Sequence, residues 1–250
     1  MRATVRGAVR RARRYRRVRA WRARQARDDA AVQRLLNEVL TPSSNCVDVG
    51  AHHGEFLRYF TDRAPGGRHV AIEALPHLAT KLRNSFPDAV VVETAVADRP
   101  GTATFFHAID RPGWSGLKKQ EYPDDTTVEE ITVKVSTLDQ IVPVRADVDF
   151  VKIDVEGAEL GVILGMRRLL AENSPTLLFE HALIHAKAHA TGPGQIYDAV
   201  AECGYAVYGL DGRGPYDRQR FIALCESADR SSYGRDAQTN WVARPAKPGA

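Results

Sequence analysis

The chain has 250 residues, 44% of them apolar and 26% charged, which is the profile of one large folded domain or two small ones. This composition excludes a disulfide-stapled miniprotein, a collagen and a wholly disordered chain. No apolar run reaches the roughly 20 residues needed to cross a bilayer, and no N-terminal apolar stretch suits secretion, so a cytoplasmic protein is expected. Cys46, Cys203 and Cys225 are far apart, odd in number and set among apolar residues, as reduced core cysteines would be.

The net charge of +4 hides an asymmetry, because residues 1–27 hold twelve arginines, no lysine and no acid. Without them the chain has 23 basic against 31 acidic side chains, a net of −8. A domain built to grip nucleic acid carries its positive charge on the folded body, so no specific nucleic-acid partner is expected. Within this arm Val5, Val9, Ala12, Tyr15, Val18 and Trp21 recur every three or four residues, the spacing of a weak apolar stripe on a helix. Such a helix suits peripheral contact with an anionic membrane surface or a polyanion. A solvated arginine-rich extension has the same composition.

From residue 28 onward Ala31, Val32, Leu35, Leu36, Val39 and Leu40 give a helical apolar face that ends at Pro42. We place the main domain at 28–225 and expect a loosely held tail at 226–250. Between these limits short apolar runs predict strands at 45–50, 68–73, 89–96, 148–154, 176–181, 205–210 and 219–225. Helical spacing predicts helices at 54–63, 76–86, 157–171 and 193–203. This alternation is that of an α/β fold, a largely parallel sheet with helices on both faces. Alternating segments at 102–107 and 130–135 predict an inserted β-hairpin, and the Gly-, Pro- and Asp-rich stretch 111–127, with Trp114, is a candidate lid.

The first strand ends in Asp48 and Val49 and turns through Gly50, Ala51, His52, His53 and Gly54 into a helix. This is not the G-x-G-x-x-G pattern of dinucleotide sites. An acid at this strand end repels a pyrophosphate but attracts a cation, which favours a sulfonium cofactor bearing an amino acid. The second strand ends at Glu73, placed to accept the two hydroxyls of an adenosine ribose. In the run Asp149-Phe150-Val151-Lys152-Ile153-Asp154-Val155, alternation sets Phe150, Lys152 and Asp154 on one face. A lysine there requires a carboxylate, with Asp48 and Glu180 as candidates, and Asp154 and Glu156 reach the carboxyl edge of the sheet.

Taken together, DVGAHHG at 48–54, IEALP at 72–76, STLD at 136–139, DFVKIDVEGAE at 149–159 and LLFEH at 177–181 resemble the FkbM-type methyltransferase family. The resemblance spans roughly residues 45–181. It implies a class I, Rossmann-like fold that binds S-adenosylmethionine and methylates a hydroxyl oxygen of a saccharide, glycoside or secondary metabolite. By position it implies a cofactor set of Asp48, Gly50, Ala51, His52 and Gly54 around the methionine part, Glu73 at the ribose, and Ala95, Val96 and Asp98 beside the adenine. It implies Asp154, Glu156 and His181 at the acceptor, with His181 as general base because an imidazole titrates near neutral pH. Two departures stand out: His52 replaces the family's usual Asn, and Glu73 is followed by Ala74-Leu75 before Pro76 instead of directly by Pro.

Three further readings stand beside this one. His181, His185 and His189 recur at four-residue spacing, but without a recognised ligand pattern, so no metal is expected. A nicotinamide-dependent oxidoreductase needs a third turn glycine and a hydride-transfer acid, neither of which is visible. A module that only binds anionic surfaces through residues 1–27 predicts that the arm alone accounts for binding, with strong salt dependence, while residues 28–250 do nothing alone.

Overall fold

A computed structural model describes residues 2–122, 125–230 and 238–246 of the chain. The elements in chain order are α1 (Arg2–Val39), β1 (Asn45–Val49), α2 (Glu55–Arg63), β2 (Val70–Glu73), α3 (Pro76–Ser85), β3 (Val90–Glu93) and β4 (Ala95–Val96). There follow β5 (Gly101–Ala108), β6 (Val128–Ser136), α4 (Leu138–Ile141), β7 (Val148–Ile153), α5 (Glu159–Leu164), α6 (Arg167–Asn173) and β8 (Thr176–Glu180). The last are α7 (Leu183–Ala186), α8 (Pro193–Glu202), β9 (Tyr205–Gly209), α9 (Arg218–Arg230) and β10 (Asn240–Pro245).

The main sheet has the order β3-β2-β1-β7-β8-β10-β9, with β10 antiparallel to both its neighbours and the other pairs from β3 to β8 parallel. Its central strands read as nearly continuous apolar runs because both faces are covered. On one face Cys46, Phe150, Leu178 and Val242 pack against Phe60 of α2 and against Val32, Leu35 and Leu36 of α1. On the other, Val47, Val49, Val151, Ile153, Leu177, Phe179 and Trp241 pack against residues of α5, α6, α8 and α9, among them Val162, Leu169, Ile196 and Phe221. The period of two in β7 thus places Phe150 and Val151 in opposite layers, as its alternation predicts. Cys46, Cys203 and Cys225 are free thiols, two of them buried.

The expected hairpin is present: β5 pairs antiparallel with β6 from Gly101↔Val135 to Ala108↔Val128, and β4 joins β6 to complete a second, three-stranded sheet. The predicted strand at 89–96 is therefore two strands in different sheets. Thr94 makes the break, its hydroxyl donating to the carbonyls of Ala95 and Lys134. The predicted helix at 157–171 is likewise divided at Gly165, where a Cβ would lie 2.3 Å from the carbonyl oxygen of Ala97.

Two expectations at the C-terminus are corrected. The segment 219–225 is not a strand but part of α9; Phe221, Cys225 and Ala228 are spaced four and three apart, and all three are buried. The stretch expected to be a loose tail supplies β10, which lies between β8 and β9 with Trp241 fully buried. Residues 231–237 and 247–250 of that stretch lie outside the described residues.

Helix α1 runs unbroken through residues 27 and 28, so the basic segment continues directly from the helix that covers the sheet. Its 38 residues make a rod of roughly 57 Å. The stripe expected at Val5, Val9, Ala12, Tyr15, Val18 and Trp21 lies outside the side chains described. Among the described residues no helix is long and apolar enough to cross a membrane.

Candidate active site

At the carboxyl edge of the sheet, the turn after β1 and the end of β7 nearly touch. The N–H groups of Gly50 and Ala51 both donate to the carbonyl of Ile72, and that of Asp154 donates to the carbonyl of Val49. Gly50 has φ +78°, and a Cβ there would sit 1.9 Å from the carbonyl oxygen of Asp154. Only glycine tolerates both conditions. Gly54, at φ +83°, is required by packing as well, since a Cβ would strike the ring of Phe86 at 2.6 Å. His52 also has positive φ, at +47°, a region in which Asn and His are enriched among non-glycine residues. The replacement of Asn by His therefore leaves the turn intact.

Lys152 is 6% exposed. Its ammonium donates to the carbonyl oxygen of Gly50 at 3.0 Å and stands 3.4 Å from Asp48 and 3.5 Å from Asp154. Burial alone would depress its pKa; the two carboxylates more than reverse this and hold it charged. The expected partner Asp48 is thus found. Glu180 acts on Lys152 only as a weaker, more distant charge.

These residues line a cleft with Glu73 and the apolar side chains of Phe56, Ile72, Val96, Phe105 and Leu117. Glu73 is buried and accepts the backbone N–H of His52 on one carboxylate oxygen and that of Leu75 on the other, each at 2.8 Å. Each oxygen keeps a second acceptor site for a ligand hydroxyl. The buried Asp48 carboxylate meets the cleft beside the Lys152 ammonium. A cleft with five carboxylates, one ammonium and an apolar slot fits a cationic adenosine cofactor by charge and by shape.

Of the expected cofactor residues, Asp48, Gly50, Ala51, His52, Glu73, Ala95 and Val96 line this cleft. Gly54 holds the turn from behind. Asp98 is a correction: it is absent from the cleft wall, and its partly exposed carboxylate pairs with Arg99 at 3.0 Å. Thr94, Phe56 and Phe105 line the cleft and were not anticipated. The stretch 111–127 does cover the site, because Pro112, Gly113, Ser115 and Leu117 form part of the wall. Gly116 bridges to Phe106, and the Ser115 hydroxyl accepts the N–H of Ala108, so the loop is fastened to β5.

Asp154 and Glu156 reach the cleft as expected; His181 does not, and lies instead at the neighbouring cavity that His185 also lines. The His181 side chain is completely buried, neither ring nitrogen has a hydrogen bond, and the nearest carboxylate oxygen, on Glu159, is 3.8 Å away. The imidazole that meets Glu156 belongs to His185. Gly157, at φ +101°, lets the turn after β7 lie directly on α7, since a Cβ there would be 2.5 Å from the carbonyl of His185. That approach sets His185 Nε2 3.1 Å from Glu156 Oε2.

Gln120 from the lid defines the tautomer. Its amide nitrogen donates to the backbone carbonyl of Glu156 at 3.1 Å, so its oxygen is the atom that faces His185 Nδ1. An amide oxygen only accepts, so Nδ1 carries the hydrogen and Nε2 is the basic nitrogen. The Trp114 ring meets the imidazole edge-on at 5.2 Å. Burial lowers the pKa of His185 and raises that of Glu156 well above the carboxylate range, with Asp154 adding to the latter. The two shifts bring the proton affinities of the pair closer together. His181, His185 and His189 do not share a helix face: the first follows β8, the second lies in α7, and the third in a short 3-10 turn.

Burial, then the charge of Asp154, raises Glu180 to about 8. With a folded pKa above the unfolded one, the native state binds more protons, so stability is greatest below about 4.5 and falls as pH rises toward 8. Glu180→Gln should therefore gain thermal stability relative to the parent as pH increases from 5 to 8. Parallel melting curves across that window measure it, and a constant offset would contradict the assignment.

The sheet order, with one antiparallel strand beside its last edge, and a cofactor cleft at the switch between β1 and β7 define a class I methyltransferase fold. The methyltransferase FkbM domain model matches residues 48–207. The chain belongs to that family. The crystal structure of the methyltransferase FkbM from Methylobacillus flagellatus is similar with a TM-score of 0.50 at 18% identity, over 82% of this chain. This chain spans 44% of that protein. A TehB-like SAM-dependent methyltransferase from Corynebacterium glutamicum matches with a TM-score of 0.45 at 11% identity, over 87% of this chain and 88% of that one. Among curated proteins none matches.

Proposed function

We propose that the chain methylates a hydroxyl oxygen of a small molecule, a saccharide, glycoside or hydroxylated secondary metabolite, with Glu156 and His185 as the joint general base. The observation that carries this reading is the 3.1 Å contact between His185 Nε2 and Glu156, with Gln120 holding the hydrogen on Nδ1. Bound S-adenosylmethionine supplies an electrophilic methyl group on a sulfonium. Asp48 and Glu73 would hold its ammonium and ribose, and Ile72, Val96 and Phe105 its base. An alcohol is a poor nucleophile until its proton is leaving. Glu156 lines the cleft and carries the hydrogen shared with His185 on Oε2; its other oxygen takes the alcohol proton as the Oε2 hydrogen passes to His185 Nε2, leaving an imidazolium. Lys152, fixed between Asp48 and Asp154, keeps the carboxylates apart and oriented. The lid excludes water and completes the alignment on which an in-line displacement depends.

The test is to supply carbon-13-methyl S-adenosylmethionine and a panel of hydroxylated glycosides to the full chain and read the product methyl by NMR. The proposal requires label in O-methyl products. Label confined to N-methyl or C-methyl products would overturn it.

A further inference from the structure

A second cavity of about 720 Å³ adjoins the cofactor cleft at the His185–Glu156 pair: Glu156 lines the cofactor cleft and His185 the cavity. Trp114 and Gln120 of the lid form one wall, Glu180, His181 and α7 the floor, and Cys225 and Ala228 of α9 the side. The remaining wall is Arg24, from the arginine-rich part of α1. Its side chain is 16% exposed, and its Nε is buried without a hydrogen-bond partner among the described residues. The nearest carboxylate, Asp28 one turn on, is 3.8 Å from that nitrogen, outside hydrogen-bonding range. Lys119 and Lys187 stand at the exposed rim together with Glu121.

A guanidinium brought into a cavity wall with its Nε unmatched is costly unless something else pairs it. The cavity is wide enough for a ring, and Trp114 lines it beside the base. From these observations we infer that the second cavity is the acceptor subsite and that it takes a hydroxylated ring carrying an anionic group, a carboxylate or a phosphate, which Arg24 pairs. The inference rests on the methyl-acceptor reading above and adds a substrate class to it. It also gives the basic helix a role inside the site: residues near 24 close the acceptor pocket, so the arm is part of the enzyme.

The experiment titrates the full chain, saturated with S-adenosylhomocysteine, with glucose, glucuronate and glucose 6-phosphate, following tryptophan fluorescence, with Trp114→Phe to assign the signal. Charge-assisted hydrogen bonds predict that at least one anionic sugar binds roughly tenfold or more tighter than glucose. Comparison of glucuronate with the phosphate identifies which anion is preferred. Arg24→Gln should abolish the preference and Arg24→Lys should keep much of it. Equal binding of all three sugars, binding of none, or a preference that survives in Arg24→Gln would overturn the inference. Failure to bind S-adenosylhomocysteine at the outset would instead strike the cofactor reading, and with it this one.

Discussion

His185→Ala is expected to lower kcat by roughly 10²–10⁴-fold, the range that general base catalysis supplies, while S-adenosylhomocysteine affinity stays near that of the parent. His185 lies outside the cofactor cleft wall, which separates the two readouts. Glu156→Gln should cost a similar factor, and the double variant little more, because the two residues act as one proton-accepting unit. Gln120→Leu provides the finer test. Without the amide oxygen, Nδ1 loses its fixed hydrogen, so the pH–rate profile should shift while binding of the cofactor product is retained. His181→Ala, in contrast, removes a fully buried ring and should lower the melting temperature without altering the shape of that profile. A pH–rate profile changed by His181→Ala and untouched by His185→Ala would reverse the assignment.

Trp241→Ala is expected to cost about 3–5 kcal/mol, the range for truncating a buried aromatic. Trp241 is fully buried in β10, with Phe221 of α9 edge-on at 4.6 Å and Tyr216 at 6.2 Å. It therefore ties the last strand of the sheet to the last helix. Against a total stability of about 5–15 kcal/mol, the loss should be visible as a large fall in the urea midpoint. A change within about 0.5 kcal/mol would be that of a surface residue and would mean that β10 is not seated in the sheet.

The parallel sheet was legible because its central strands are short apolar runs ending in polar turns, and each of β1, β2, β7 and β8 lies within a residue or two of its expected bounds. The errors arose where local pattern and tertiary context diverge. Phe221-Ile222-Ala223-Leu224-Cys225 looks like a strand because five apolar residues in a row carry no period, although Phe221 and Cys225 share one helix face. Trp241-Val242-Ala243 is too short a run to stand out from its polar flanks, and only its place between β8 and β9 makes it a strand.

That Asp48 and Glu73 would line one cleft was legible, since they lie at the ends of neighbouring strands, whereas Asp98 was misplaced. The acceptor half of the site was not legible. Gln120 sits in a loop with no periodicity, and His185 appeared only as one of three evenly spaced histidines. Its pairing with Glu156 depends on Gly157 allowing the turn to lie against α7, a contact between residues 28 positions apart. Arg24 is one arginine among twelve in residues 1–27, and its place in a cavity wall follows from the path of α1, which charge counting does not reveal.

The most direct test of the account is calorimetric titration of the full chain with S-adenosylhomocysteine, repeated on Asp48→Ala and Glu73→Ala. The geometry predicts micromolar binding, weakened at least about tenfold by each substitution, since each removes a carboxylate worth roughly 1.5–3 kcal/mol in charge-assisted hydrogen bonds. Folded protein that binds no S-adenosylhomocysteine, or binds it equally well without Asp48 and Glu73, would contradict the assignment of this cleft to the methyl donor.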